Sequence, residues 1–425
     1  MAGASFIERM AHDKQEIIEG CKECGTCLSV CPIRPFSRYA EKDTAQLQAA
    51  RIAFLKGGEA SDAVYDMAFS CMGCHFCKGV CPQGLNPAQT GIISRMELIR
   101  RGHAAPPAYS FALAGEHFNY FGIMSALLTD PSRKRWITEA PVSPAHADVV
   151  FFPGCGLHTM PDHLFACLDI LDRMELNHVT LGGIAHCCGG AYMLAGKAEE
   201  CGEFGDRLVQ SISAFTPHTA VLFCPGCMIR LSESFFDCSG LPFRTMHLSQ
   251  FLAENIDRLK FEKPIRKTVA IHDPCQLGRG LGEFEGSRKA VKAIPGIRLV
   301  ELEHRGKETR CCGSPAAQHD PAAAKQMGLL LMEEAKKSGA ELLVTQCLSC
   351  NRTFRGLAQG YPFEVVNFVA LVGRALGIEY ESKLPLYLKW RDVDRVIEDA
   401  RANIEASAYT EQEVRFFLEL LFSMA

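Results

Sequence analysis

Twice the chain sets two cysteines side by side before a glycine: "AHCCGG" at 185–190 and "TRCCGS" at 309–314. Adjacent thiols do not easily bridge to each other, and two thiolates at one point repel. Each pair belongs to a larger set with regular spacing. The first set is Cys155, Cys187, Cys188, Cys224 and Cys227; the second is Cys275, Cys311, Cys312, Cys347 and Cys350. Cys155 to Cys275 is 120 residues, Cys188 to Cys312 is 124 and Cys227 to Cys350 is 123. Helical stretches starting at His247 and Asn367 also lie 120 residues apart. The chain therefore carries a duplicated unit of about that length.

Eight more cysteines precede the sets. "CKECGTCLSVCP" holds Cys21, Cys24, Cys27 and Cys31; "CMGCHFCKGVCP" holds Cys71, Cys74, Cys77 and Cys81. Both runs read C-x2-C-x2-C-x3-C-P, the ferredoxin spacing in which the fourth cysteine ligates the other cluster. That rule assigns Cys21, Cys24, Cys27 and Cys81 to one cubane [4Fe–4S] cluster. It assigns Cys71, Cys74, Cys77 and Cys31 to a second. Thiolate donors suit iron–sulfur chemistry. Two zinc sites or disulfides form the competing reading.

The paired sets resemble a known family. The order C-x(31–39)-C-C-G-x(34–36)-C-x2-C, with "HDPCQLGRG" and "IPGIRLVELE" in the second repeat, is similar to the CCG (cysteine-rich) domain of heterodisulfide reductases. The whole chain, over roughly residues 10–375, resembles the fused D-type form, in which a ferredoxin-like half is joined to a catalytic half. Iron–sulfur subunits of anaerobic glycerol-3-phosphate, glycolate and lactate oxidoreductases are related. The resemblance implies a noncubane [4Fe–4S] cluster on each complete five-cysteine set, two irons taking one each of the adjacent thiolates. It makes Cys187, Cys188, Cys311 and Cys312 the catalytic cysteines. A zinc site with spare thiols, or a single surviving noncubane cluster, remains open at this point. The glycine after each pair is expected to let backbone approach the cluster.

The implied activity is disulfide reduction or formation: electrons pass through two cubane clusters to the noncubane clusters. A flavoprotein or a membrane cytochrome b would supply or take the electrons. The alternative is a pure electron-transfer subunit of a flavin-dependent dehydrogenase complex acting on a 2-hydroxy acid, glycerol 3-phosphate or similar. Reducing a disulfide also needs two protons. His158, His186, His272 and His304 are the candidate donors, with His186 and His272 taken as catalytic. In the repeat alignment His186 falls opposite Arg310 and His272 opposite Phe152, so the two sites are not chemically equal. Lys78, Arg279 and Arg310 are candidate anion contacts. Cys167, Cys201 and Cys238 fall outside every motif and read as buried free thiols.

Composition bounds these readings. The chain has 425 residues, 21 cysteines and a formal net charge of −4. An acidic balance argues against a nucleic-acid binder. The first 20 residues are polar, so no secretory leader is expected. No run of 18 apolar residues occurs, so no membrane span is expected. A cytoplasmic protein, associated with a membrane only through a partner, is the expectation. In that setting dense cysteines mean metal.

The elements that must position these residues follow from pattern. Between the ferredoxin runs, Asp43 or Thr44 can cap a helix closed by Gly57-Gly58, and Ser61 can cap another. Beyond residue 145, apolar runs such as "DVVFF", "AVLF", "TVAIH" and "ELLVT" read as buried strands alternating with helices, hence a mostly parallel sheet. The expected class is α+β multidomain, a helical two-cluster ferredoxin domain followed by two α/β CCG domains. The expected boundaries are 1–105 for the ferredoxin-like domain, 106–145 for a linker, 146–262 and 263–380 for the CCG domains, and 381–425 for a C-terminal helical extension. "SRKRW" at 132–136 reads as solvated, and "TEQEV" at 410–414 as a capping box.

Overall fold

The computed structural model describes residues 5–113, 115–139, 141–231 and 241–424. Cys238 lies outside the described residues. Four helices, Phe6–Gly20, Thr44–Leu55, Asp62–Ser70 and Pro87–Arg100, frame the N-terminal region. Their caps are local: Ser5 and Glu8 form a capping box, Asp43 accepts from the Gln46 amide and Ser61 from the Val64 amide. Ile52, Phe54, Val64 and Phe69 are fully buried between them. The first and third of these helices end directly on Cys21 and Cys71.

Among the described residues eight short strands follow: β1 Val149–Phe152, β2 His178–Thr180, β3 Thr219–Leu222, β4 Arg244–His247, β5 Thr268–His272, β6 Arg298–Val300, β7 Leu342–Thr345 and β8 Glu364–Asn367. They form two four-stranded sheets, ordered β2-β1-β3-β4 and β6-β5-β7-β8. Every pairing is parallel. The chain steps one way from β1 to β2 and back past β1 to β3, which creates a crevice at the carboxyl ends of the strands. One face of each sheet, including Phe151, Val221, Ile271 and Val344, enters a single core shared by both units. The helices after β4 and β8, Leu248–Glu254 and Phe368–Ala375, begin at His247 and Asn367, which cap them.

The segment 106–145, read above as a linker, contains the helix Tyr120–Leu128. Its Ile123, Met124 and Leu127 are buried with Tyr387, Val396, Val414 and Phe417 of the C-terminal helices. The middle and the end of the chain thus build one helical body. In "SRKRW" Ser132, Arg133, Lys134 and Arg135 are exposed, as read from the sequence, and Trp136 alone is buried. Arg133 stacks on Phe165 and Tyr380, Arg135 pairs with Asp169 and Asp172, and Trp136 is buried against His158. The capping box is present, with Thr410 and Glu413 bonded reciprocally ahead of Glu411–Met424.

Candidate iron–sulfur centres

In each ferredoxin run the backbone turns left-handed at the same two places. Glu23 and Gly25 have φ of 55° and 73°; Gly73 and His75 have 58° and 59°. Alternating turns of this kind point successive N–H groups inward, which favours anionic sulfur. The Glu23 amide lies 3.4 Å from Cys21 Sγ, and Gln48 Nε2 donates to the same sulfur at 3.3 Å. Cys21, Cys24, Cys27 and Cys81 line one hollow. Cys31, Cys71, Cys74 and Cys77 line the next, together with Cys27. Burial raises the Cys27 thiol pKa; buried Arg51 opposes that, and the other three thiols of its hollow add to it. Burial, with Cys71 nearby, pushes Cys31 up to about 11.

The carboxyl ends of three strands deliver each five-cysteine set. Cys155 follows β1, Cys187 and Cys188 follow β2, and Cys224 follows β3; Cys275, Cys311, Cys312 and Cys347 repeat this after β5, β6 and β7. Cys224 and Cys347 sit at the N-caps of the helices Pro225–Ile229 and Leu348–Leu357, whose first turns carry Cys227 and Cys350. Within the second set Cys275 Sγ lies 3.7 Å from Cys311 Sγ, and Cys350 Sγ lies 3.3 Å from Cys312 Sγ. Contact with Cys187 pushes Cys188 up to about 12, and Cys227, Cys275, Cys312 and Cys350 are driven up by the same thiol–thiol crowding. Buried sulfurs this close cannot all ionise unaided. Bound cations remove that conflict, so the donor set fits iron–sulfur clusters.

The glycine after each pair also meets a packing demand. Gly189 and Gly313 adopt φ of 78° and 80°. A Cβ would lie 2.3 Å from the Cys201 carbonyl oxygen in one and 2.7 Å from that of Ala324 in the other. The glycines are packed against helix backbone, which sets the thiol pair in place. Cys201 and Cys167 are fully buried, and burial raises both thiols.

Both five-cysteine sets line a single cavity of about 270 Å³. Its walls add Tyr109, Gln276, Ser314, Gln318, Arg230 and Arg352. Arg352 donates to Thr159 Oγ1 at 3.0 Å and lies over the Tyr120 ring. No histidine lines this cavity among the described residues. His158 Nε2 accepts from the Gly183 amide at 2.8 Å, and His186 Nε2 donates to the Thr138 carbonyl at 2.7 Å. His304 and Arg310 both pair with Glu334. His272 lies buried, its ring edge-on to Phe354. The two arginines escaped the sequence reading. Their signal was position: Arg230 lies three residues past Cys227 and Arg352 two past Cys350, facing Thr353 and Ile229 across the repeat.

The ferredoxin region abuts the second set. Met72 Sδ lies 3.5 Å from Cys311 Sγ. Arg279 donates to the carbonyls of Cys74 and Lys307 at 2.8 Å each and to that of Thr309, while stacking on Phe76.

A 4Fe-4S dicluster domain matches residues 16–85, and a cysteine-rich domain matches twice, at 149–232 and 269–355. This makes the chain an iron–sulfur redox protein with a dicluster ferredoxin domain and paired CCG domains. It is similar over 85% of its length, at 26% identity, to the D-type subunit of the dihydromethanophenazine:CoB–CoM heterodisulfide reductase of Methanosarcina barkeri, 94% of which is covered. The B-type subunit of a fumarate reductase (CoM/CoB) from Methanothermobacter marburgensis is 28% identical over 82% of the chain and 70% of its own length. A probable iron–sulfur-binding oxidoreductase of Bacillus subtilis matches 48% of the chain at 27% identity, over 26% of its own length. These matches make the chain an iron–sulfur oxidoreductase subunit that is similar, along most of its length, to D-type heterodisulfide reductase subunits. Among the described residues no helix is long and apolar enough to cross a membrane.

Proposed function

We propose that this chain passes electrons through two cubane clusters to two noncubane [4Fe–4S] clusters, which together reduce or form a disulfide in the cavity between them. The observation that carries the reading is that one cavity is lined by all ten CCG cysteines. The assigned ligands are Cys21, Cys24, Cys27 and Cys81 for one cubane and Cys31, Cys71, Cys74 and Cys77 for the other. Cys155, Cys187, Cys188, Cys224 and Cys227 hold one noncubane cluster; Cys275, Cys311, Cys312, Cys347 and Cys350 hold the second. When bound, the clusters supply one-electron carriers and a sulfur-seeking metal. The chain's own residues do the rest. Met72 and the Arg279 clamp bring the second cubane against the second CCG site. Arg230 and Arg352 offer two cations to an anionic disulfide, and the two sites face its two sulfurs. The balance is two electrons and two protons per disulfide, giving two thiols. Residues 1–105, 146–262 and 263–380 form the three redox units, with 106–145 and 381–425 joined as a helical body. A flavoprotein or membrane cytochrome b is the proposed partner, and any membrane contact runs through it.

A second reading is favoured by the absence of histidine from the cavity wall among the described residues: an electron-transfer subunit whose partner performs the substrate chemistry. Electron paramagnetic resonance on the anaerobic, oxidised chain separates the two. A new paramagnetic species that appears only with an added coenzyme thiol supports disulfide chemistry. Ordinary cubane signals, unchanged by thiol, support the wire. Iron content of about 16 per chain is expected for four [4Fe–4S] clusters, and a value of about 8 sinks the noncubane assignment.

A further inference from the structure

The two CCG sites share a plan but not a lining. At the carboxyl end of the first sheet, Phe152, Leu222 and His247 stand in register on β1, β3 and β4. In the second sheet the same row reads His272, Thr345 and Asn367 on β5, β7 and β8. Residues in register on neighbouring parallel strands point to one face, about 4.8 Å apart. Here that face, with Ala270, Leu343 and Val365, packs against Cys312 and Cys350. The residues flanking the third-strand cysteines change in the same sense: Phe223 and Met228 become Gln346 and Asn351.

The polar row is buried and unmet. His272 Nε2, Thr345 Oγ1, Asn367 Nδ2 and both amide atoms of Gln346 and Asn351 have no hydrogen-bond partner among the described residues. The first repeat leaves no such gap at its one polar member, since His247 bonds Ser249 Oγ and the Phe223 carbonyl. Leaving a buried polar atom dry is costly, and bound water is the ordinary remedy. A source of water is adjacent. Asn351 and Asn367 line a second cavity, of about 560 Å³, whose lining also includes the Asp162–His163 pair.

We propose that the row His272–Thr345–Asn367 is hydrated and conducts protons from this outer cavity to the second CCG site, while the first site is dry. This rests on the reading above that clusters occupy both sites. Electrons then reach the second site past Met72 and protons reach it through the row. The thiolate released at the second site takes one of the two protons that the two-electron reduction needs, and the other thiolate takes its proton from solvent as it leaves the cavity. An imidazole such as that of His272 can donate from one ring nitrogen and accept at the other, which lets it relay a proton. Asp273, Cys311, Glu334 and Arg279 are the charged or titratable groups around it.

The test is deuterium uptake at each site. The anaerobic, cluster-loaded chain is mixed into deuterated buffer and followed by pulsed electron–nuclear double resonance. The second site's signal is the one lost in Cys312→Ser. Expected is rapid deuteron coupling at the second site and none at the first on the same timescale. His272→Phe, which restores the first repeat's residue, and the near-isosteric Thr345→Val should each slow that uptake at least tenfold. Equal uptake at both sites, or unchanged uptake in both variants, overturns the proposal. Absence of both noncubane signals overturns the functional reading instead. A crystal structure decides the row independently of the clusters: ordered waters bridging His272, Thr345 and Asn367 are required, and a dry row ends the idea.

Discussion

Gly313 shows how much of the proposed cluster site is backbone. Its left-handed φ of 80° and the Ala324 carbonyl 2.7 Å from a would-be Cβ leave no room for a side chain. Alanine there combines strain of about 1–2 kcal/mol with a steric clash. Gly313→Ala is expected to lose the second noncubane signal and about four irons, with both cubane signals intact. Spectroscopy and iron analysis on one sample check this. Arg352 makes a different contribution, a cation at the cavity wall. Arg352→Ala should raise the KM for an anionic disulfide about 10- to 100-fold, matching the roughly 1.5–3 kcal/mol of a charged hydrogen bond, with kcat nearly unchanged. Steady-state kinetics with a coenzyme disulfide decide it. At this scale the eighteen motif cysteines were legible because ligand spacing is a local pattern. Arg230 and Arg352 were not, because each is matched in the other repeat by an uncharged residue and gains meaning only when the two units face each other.

Among the elements, β1, β3, β5 and β7 announced themselves as apolar runs, since central parallel strands are buried on both faces. The edge strands β2, β4, β6 and β8 are three or four residues long and partly polar, as in "HVT" and "RTMH", so no periodicity could reveal them. The helix Tyr120–Leu128 was hidden for another reason: its partners lie more than 250 residues away. His247, which caps the helix Leu248–Glu254, brings a pH prediction. Burial lowers its folded pKa from 6.5 to about 4. Between those values the unfolded chain binds the extra proton, so stability rises with pH through this window. The contribution is complete above about pH 6.5 and lost as pH falls toward 4. The second repeat places Asn367 at this cap, so His247→Asn should keep the helix and flatten the stability profile between about pH 6.5 and 5. Denaturant melts at several pH values measure it.

On the scale of the whole molecule, the contact between the ferredoxin region and the second CCG unit is where electrons would pass under the proposed function. Arg279 holds that contact by binding carbonyls on both sides of it. Arg279→Ala is expected to slow reduction of the second noncubane site about tenfold or more, some 1.4 kcal/mol in barrier, while the cubanes reduce at the normal rate. Stopped-flow absorbance with rapid-freeze sampling resolves the two events. None of this facing was legible in the sequence, where the repeats look like two independent units with one site each. The spacing declares the duplication but not that both sites open into one room.

That shared room gives the chain's maturation an order. The eight ferredoxin cysteines are complete once residue 81 has been made, and the first CCG set once residue 227 has been made. Yet the wall opposite that first set is built from residues 274 to 352. A nascent chain would therefore hold its first five-cysteine set open to solvent and oxygen through the synthesis of more than a hundred further residues. Under the proposed function, loading of the CCG clusters would come late, after the second unit has closed over the first.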